Sequence, residues 1–185
     1  MALIKRTVIG ANSDRKSAVL YHDSTNEQDT SGVVRRSTLW ASAELPVNNS
    51  IKGDRAVDVT VREPEDGMIF RVNEIPPDMK DKKKHIQLMK ELNAKVKQKY
   101  PPTEKDYERH PTMHRTDTLD CFVVARGELY LVTDTDEVLL RTGDTAIVQG
   151  VNHAWSNRTN EPALIVGTMT HAKPLPKEQY PAPGL

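Results

Sequence analysis

The stretch His114-Arg115-Thr116-Asp117-Thr118-Leu119-Asp120-Cys121-Phe122-Val123-Val124-Ala125-Arg126-Gly127 decides how this chain is read. From 119 to 125 it is an apolar, β-branched run interrupted by one carboxylate, and Arg126-Gly127-Glu128 supplies the turn that closes it. Residues two and four apart in a strand share a face, so Asp120, Phe122 and Val124 point one way and Cys121, Val123 and Ala125 the other. A carboxylate on an apolar face is costly to bury without a partner. His114 and Thr116 stand at the same parity as Asp120 and are candidate partners. A second block, Gly143-Asp144-Thr145 followed by Gln149-Gly150-Val151-Asn152-His153-Ala154-Trp155-Ser156-Asn157, brings another histidine from a different turn of the chain.

Outward from these blocks, strands and turns alternate. Residues 129–133, Val138-Leu139-Leu140, Ala146-Ile147-Val148 and 163–169 read as strands, separated by Asp134-Thr135-Asp136 and Thr142-Gly143-Asp144. Upstream, Thr7-Val8-Ile9 and residues 18–21 flank a turn-rich cluster at 10–14 and predict a hairpin. Residues 24–31 read as a loop, 33–41 as a strand, 46–66 as irregular or edge structure, and Met68-Ile69-Phe70-Arg71-Val72 as a strand closed by Pro76-Pro77. Short strands at roughly 8 to 12 residue spacing predict an all-β sandwich or barrel. We expect a single domain over 1–185, with a barrel core at about 67–76 and 110–172 and a Pro-rich, extended tail at 174–185.

One segment breaks the pattern. Between 78 and 100, Ile86, Met89, Leu92 and Val96 recur at helical spacing, Asp78 is a candidate N-cap, and Tyr100-Pro101-Pro102 ends the run. Eight lysines fall in 78–99 against three acidic residues. The segment is a surface helix with a solvated lysine face, or a lid or dimer arm beside the first histidine block.

Composition excludes several classes. The formal net charge is zero, so no bulk electrostatic attraction favours nucleic acid or an anionic membrane, and the lysine run lacks the interleaved aromatics of a single-strand binder. No apolar run approaches the roughly 20 residues that span a bilayer. The early Lys5-Arg6 pair is not followed by an apolar signal region. One cysteine, Cys121, permits no intrachain disulfide and fits a reducing compartment. The expectation is a soluble, cytoplasmic protein.

The site chemistry has three readings. His114, His153 and Asp120 are two imidazoles and a carboxylate, a set suited to Fe(II) or Zn(II) with open positions. The same residues also form a metal-free acid–base group, or a structural network in which Asp120 caps turn amides. Thr116, Phe70, Phe122, Trp155, Arg71 and His171 are candidate substrate contacts: aromatic walls, a carboxylate-pairing arginine, and a histidine at the parity of Met169. His110 reads as a loop residue and a candidate extra ligand, His22 and His85 as surface, and Cys121, at the wrong parity, is not read as a nucleophile.

The two blocks resemble the cupin superfamily. Its first motif runs His-x-His, three or four residues, Glu, six residues, Gly; here His114 takes the first histidine place, Asp120 the glutamate place and Gly127 the glycine. Thr116 stands where the second histidine belongs. The second motif is matched by Gly143, His153 and Asn157, with Gln149 in a proline place and the Gly-to-His stretch one residue shorter. More narrowly, Arg6-Thr7-Val8-Ile9-Gly10, Leu39-Trp40 and Phe70-Arg71-Val72 are similar to segments of small single-domain bacterial and fungal cupins associated with polyketide or aromatic metabolism. The resemblance implies a double-stranded β-helix, or jelly-roll, barrel carrying one inserted lysine-rich helix. It implies a catalytic or metal set of His114, Asp120 and His153, with one divalent metal (Fe, Zn, Mn or Ni) or none. It further implies a lyase-type enzyme (decarboxylase, dehydratase or cyclase) on an aromatic or polyketide-like small molecule. An Fe(II)-dependent dioxygenase and a non-catalytic ligand-binding cupin are the alternatives. Small cupins pair through N-terminal strands, so a homodimer using residues 1–23 is expected.

Overall fold

Alternation of burial along the strands builds two facing sheets, as a computed structural model shows. The structure describes residues 4–24, 28–30, 34–50, 53–55, 63–96, 98–176 and 178–180. Eleven strands follow in order among them: β1 (Lys5–Ala11), β2 (Ser17–Ser24), β3 (Gln28–Thr30), β4 (Val34–Ser42), β5 (Met68–Ile75), β6 (Thr118–Arg126), β7 (Glu128–Thr133), β8 (Glu137–Arg141), β9 (Thr145–Gln149), β10 (His153–Ser156) and β11 (Ala163–His171). Two helices, α1 (Lys82–Lys95) and α2 (Glu104–Arg109), lie between β5 and β6.

A six-stranded antiparallel sheet has the order β3-β4-β5-β11-β6-β9, and a three-stranded sheet has the order β10-β7-β8. Their inner faces meet. Phe122 and Val124 of β6, Ile75 of β5, and Ile165 and Met169 of β11 pack against Leu129, Leu140 and Trp155 from the smaller sheet. Two facing antiparallel sheets of this order make the jelly-roll barrel expected from the sequence. Gly127, at φ 79°, turns the chain from the large sheet to the small one. Gly167 serves a different end: a side chain there would collide with the Cys121 carbonyl and the Phe122 ring, so its absence lets Phe122 lie across β11.

The lysine-rich segment is a helix, but it begins later than the sequence suggests. Its N-cap is Asp81, whose side chain accepts a hydrogen bond from the Lys84 amide at 3.0 Å. Asp78 is engaged elsewhere: it accepts from Ser156 Oγ at 2.6 Å and from the Asn157 amide at 3.3 Å, fastening the end of β5 to β10. A second helix, α2, follows, held by a Thr103–Asp106 capping box. Met89 and Leu92 of α1 pack on Tyr107 of α2, with Val34 of β4 against the same cluster, so the lysine face is outside and the apolar stripe is docked. The expected loop at 24–31 is also corrected: β2 runs to Ser24, and residues 28–30 pair with β4.

The predicted N-terminal hairpin is present as β1-β2, a sheet of its own. Arg6 bonds Asp23 across the hairpin and ties it to the rest of the chain through Asp54 and the Leu39 carbonyl of β4. Near the other terminus, Tyr180 accepts from the Asn152 amide at 3.0 Å and donates to Asp134 at 2.9 Å. No helix among the described residues is long and apolar enough to cross a membrane.

Candidate functional site

The two sheets and α1 enclose a cavity of about 350 Å³. β6 contributes Asp120 and Phe122 to its wall, β10 contributes His153 and Trp155, β5 contributes Arg71, Asn73 and Ile75, and α1 closes it with His85, Leu88, Met89 and Leu92. Strand alternation explains the selection. Asp120, Phe122 and Val124 are buried while Leu119 and Ala125 are exposed, as the parity of the first block predicts.

The two histidines are paired through the backbone before their rings meet. The His114 amide donates to the His153 carbonyl and the His153 amide donates to the His114 carbonyl, both at 2.9 Å. The ring centroids are consequently 4.3 Å apart, tilted by 50°. Nδ1 of His114 lies 2.9 Å from the Thr112 carbonyl and Nδ1 of His153 lies 3.0 Å from the Val151 carbonyl. A carbonyl only accepts, so each Nδ1 carries the proton and Nε2 is the acceptor nitrogen of the neutral ring. Both rings line the cavity.

Asp120 is 2% exposed, and its Oδ1 has no hydrogen-bond partner among the described residues. Burial pushes its carboxyl up to about 6, against the opposing pull of a hydrogen bond from Thr118 and the charge of Arg71. An orphaned carboxylate oxygen facing an apolar cavity is a group held ready for a proton.

The remaining assignments divide. Phe122, Trp155 and Arg71, candidate substrate contacts, line the cavity; Phe122 and Trp155 meet edge to face at 5.9 Å. Phe70 does not line it: alternation that turns Arg71 inward turns Phe70 to the other face of β5. Thr116 is buried but is bonded to Thr118 Oγ1 at 2.7 Å, away from the cavity wall. His171 ends β11 beyond Met169, its amide bonded to Gly67, and lies outside the lining. Arg115 is sandwiched between the rings of Tyr100 and Tyr180. His22 is exposed, as expected, whereas His85 is not on the surface: it is 5% exposed and lines the cavity.

Arg36, Asn73, Asp78 and His85 are lining residues that the sequence reading missed. Their signals were periodic. Asn73 shares the parity of Arg71, and Arg36 lies opposite Asn73 in the β4–β5 register. His85 stands at helical spacing from Leu88, Met89, Leu92 and Val96, and counting it as polar removed it from the docked stripe.

The donor set bears on metal. Among the described residues, no three His, Cys, Asp or Glu side chains gather closely enough to hold a metal ion. Thr116, in the second histidine place, has its hydroxyl tied to Thr118. The set that assembles is two imidazoles, so the expected His114-Asp120-His153 metal triad does not fit this geometry, although all three side chains line one cavity.

Residues 96–169 match the family described as Cupin domain. A phomopsin biosynthesis cluster protein, C', of Diaporthe leptostromiformis is 42% identical over 65 residues, 34% of this chain and 34% of the relative. An oryzines biosynthesis cluster protein, J, of Aspergillus oryzae is 46% identical over 48 residues, 25% of this chain and 27% of the relative. The matched stretches thus span about a third or less of these curated relatives. Among solved structures, the Schizosaccharomyces pombe Cnp3 cupin domain superposes with a TM-score of 0.46 at 10% identity, covering 90% of this chain and 87% of that one.

Proposed function

We propose, from the match of residues 96–169 to the Cupin domain family, that this chain is a small-molecule enzyme of secondary metabolism, working by general acid–base catalysis inside the barrel. The observation that carries the reading is Asp120: a cavity-lining carboxyl, 2% exposed, with one oxygen unpartnered among the described residues and a pKa pushed up to about 6. Such a group is ionised at neutral pH yet basic enough to take a proton from carbon. The names of the partial relatives support a place in a biosynthetic cluster.

The residues divide the work. An aromatic or polyketide-like ligand lies against the crossed rings of Phe122 and Trp155. Asp120 takes a proton from the ligand, and Nε2 of His114 or His153 receives or returns one at a neighbouring position. The barrel and α1 wall the ligand on several sides and reduce its contact with water. This suits a lyase: a decarboxylase, dehydratase or cyclase. The dioxygenase reading asks for a three-ligand set, which the two imidazoles do not complete.

The reading extends to a homodimer. Ile9, Val19 and Leu20 stand exposed on the β1–β2 hairpin, which among the described residues pairs with no strand of the larger sheets, and a second copy of the chain would cover them.

The decisive experiment is deletion of the gene in its host, isolation of the compound that accumulates, and incubation of that compound with the purified protein. Turnover is expected, and Asp120→Asn should lower kcat by about 10²- to 10⁴-fold. An unchanged metabolite profile, or full activity in Asp120→Asn, would remove the acid–base reading.

A further inference from the structure

The α1 end of the cavity holds a polar group that the acid–base chemistry leaves unused. His85 is 5% exposed and lines the cavity, and its ring nitrogens engage no hydrogen-bond partner among the described residues. Its ring meets His110 edge-on, with centroids 6.3 Å apart and planes at 81°. His110 is already engaged: its Nδ1 accepts from the Thr112 amide at 3.2 Å, and its Nε2 faces Asp78 Oδ2 at 3.4 Å. Asp78, which lines the cavity beside His85, is filled by Ser156 and Asn157 as well. The neighbours named here are thus engaged elsewhere, and the side of the His85 ring that remains open is the one that lines the cavity.

The charge state of His85 narrows what that partner is. Burial holds the imidazole below its ordinary pKa, His110 adds to the effect, and Asp78 opposes it. A neutral ring has one N–H donor and one acceptor nitrogen. A hydroxyl matches both roles, whereas a carboxylate only accepts and would meet the Asp78 charge. His85 and Asp120 also lie at opposite ends of the sheet. Asp120 pairs across Met169 with the row of Ile69, whereas Asp78 follows Ile75 at the other end of β5. Between them the wall is mixed: Phe122, Trp155, Leu88, Met89 and Leu92 supply apolar surface, and Arg36, Arg71 and Asn73 stand on the sheet side.

We propose that His85 is the specificity-determining residue of this cavity, binding a hydroxyl of phenolic type carried at the end of an apolar, ring-bearing ligand remote from Asp120. The inference rests on the reading of the cavity as the substrate site and adds a ligand class to it. The inserted helix is then part of the recognition surface as well as a cover.

Calorimetric and fluorescence titrations with 2-naphthol, naphthalene and 2-naphthoate test it on the full chain. The expected result is that 2-naphthol binds at least tenfold more tightly than either other probe. That preference should vanish in His85→Leu, survive in part in His85→Gln, which keeps a donor and an acceptor, and survive in Asp120→Asn. Equal affinity for 2-naphthol and naphthalene, a preference that persists in His85→Leu, or no binding of any probe would overturn it. Turnover plays no part in these titrations, so the base assignment to Asp120 and the ligand assignment to His85 fail separately.

Discussion

Asp120 couples catalysis to stability with opposite signs. Its folded-state pKa is raised from 3.8 to about 6 chiefly by burial, so between those values the folded protein binds more protons than the unfolded chain. The contribution of Asp120 to stability is therefore greatest below pH 4, falls as pH rises through this window, and at neutrality is lower by roughly 3 kcal/mol than that of an unshifted group. Asp120→Asn removes that dependence. Urea unfolding at pH 7.5 should show the variant more stable than the parent, with the gap closing toward pH 4.5, while its activity is lost. For the parent, kcat/KM should rise with pH through about 6, because the base must be ionised. Residue-scale legibility followed parity. Asp120 and Phe122 were placed correctly because residues two apart share a face, and the same rule makes Phe70 and Arg71 mutually exclusive as cavity contacts. Thr116 was readable as a departure from the two-histidine pattern, but its bond to Thr118 depends on a local turn that no spacing encodes.

At the scale of elements, α1 depends on few contacts. Met89 is 2% exposed and Leu92 7%, and with Tyr107 they form a cluster distinct from the barrel core. Leu92→Ala should cost about 2 to 4 kcal/mol by leaving a hole at that junction. Because Leu92 also lines the cavity, the variant should bind 2-naphthol more weakly while the circular dichroism of the strands is kept. Asp81→Ala should cost about 1 kcal/mol through loss of the N-cap, readable as a lower urea midpoint with unchanged m. Strands bounded by Gly and Asp turns were legible almost to the residue, since a two-residue period and a turn signal coincide there. The helix start was not: Asp78 and Asp81 are equally good caps by type, and only the pull of Ser156 and Asn157 on Asp78 separates them. The pairing of residues 28–30 with β4 was hidden for a similar reason, because a three-residue edge strand is too short to show a period.

For the molecule as a whole, the sequence told more about the barrel than about its opening. Two histidine blocks and regular turns define a jelly roll, whereas the identity of the cavity depends on a segment whose lysines advertise a surface and whose His85 lies on the other side. The proposed dimer belongs to this scale. Light scattering should report twice the chain mass of 20.8 kDa, and Val19→Asp with Leu20→Asp should return a monomer that keeps its fold; a monomeric parent would rule the pairing out. The placement of α1 has one more consequence. The barrel wall is written by strands scattered along the chain, but the cover and its supports, from Pro76 to Arg109, are one uninterrupted stretch. Ligand preference can therefore drift during descent by changes confined to that stretch, with Asp120 and the paired imidazoles untouched. Grafting the corresponding stretch from a related barrel should transplant selectivity and leave the chemistry where it was.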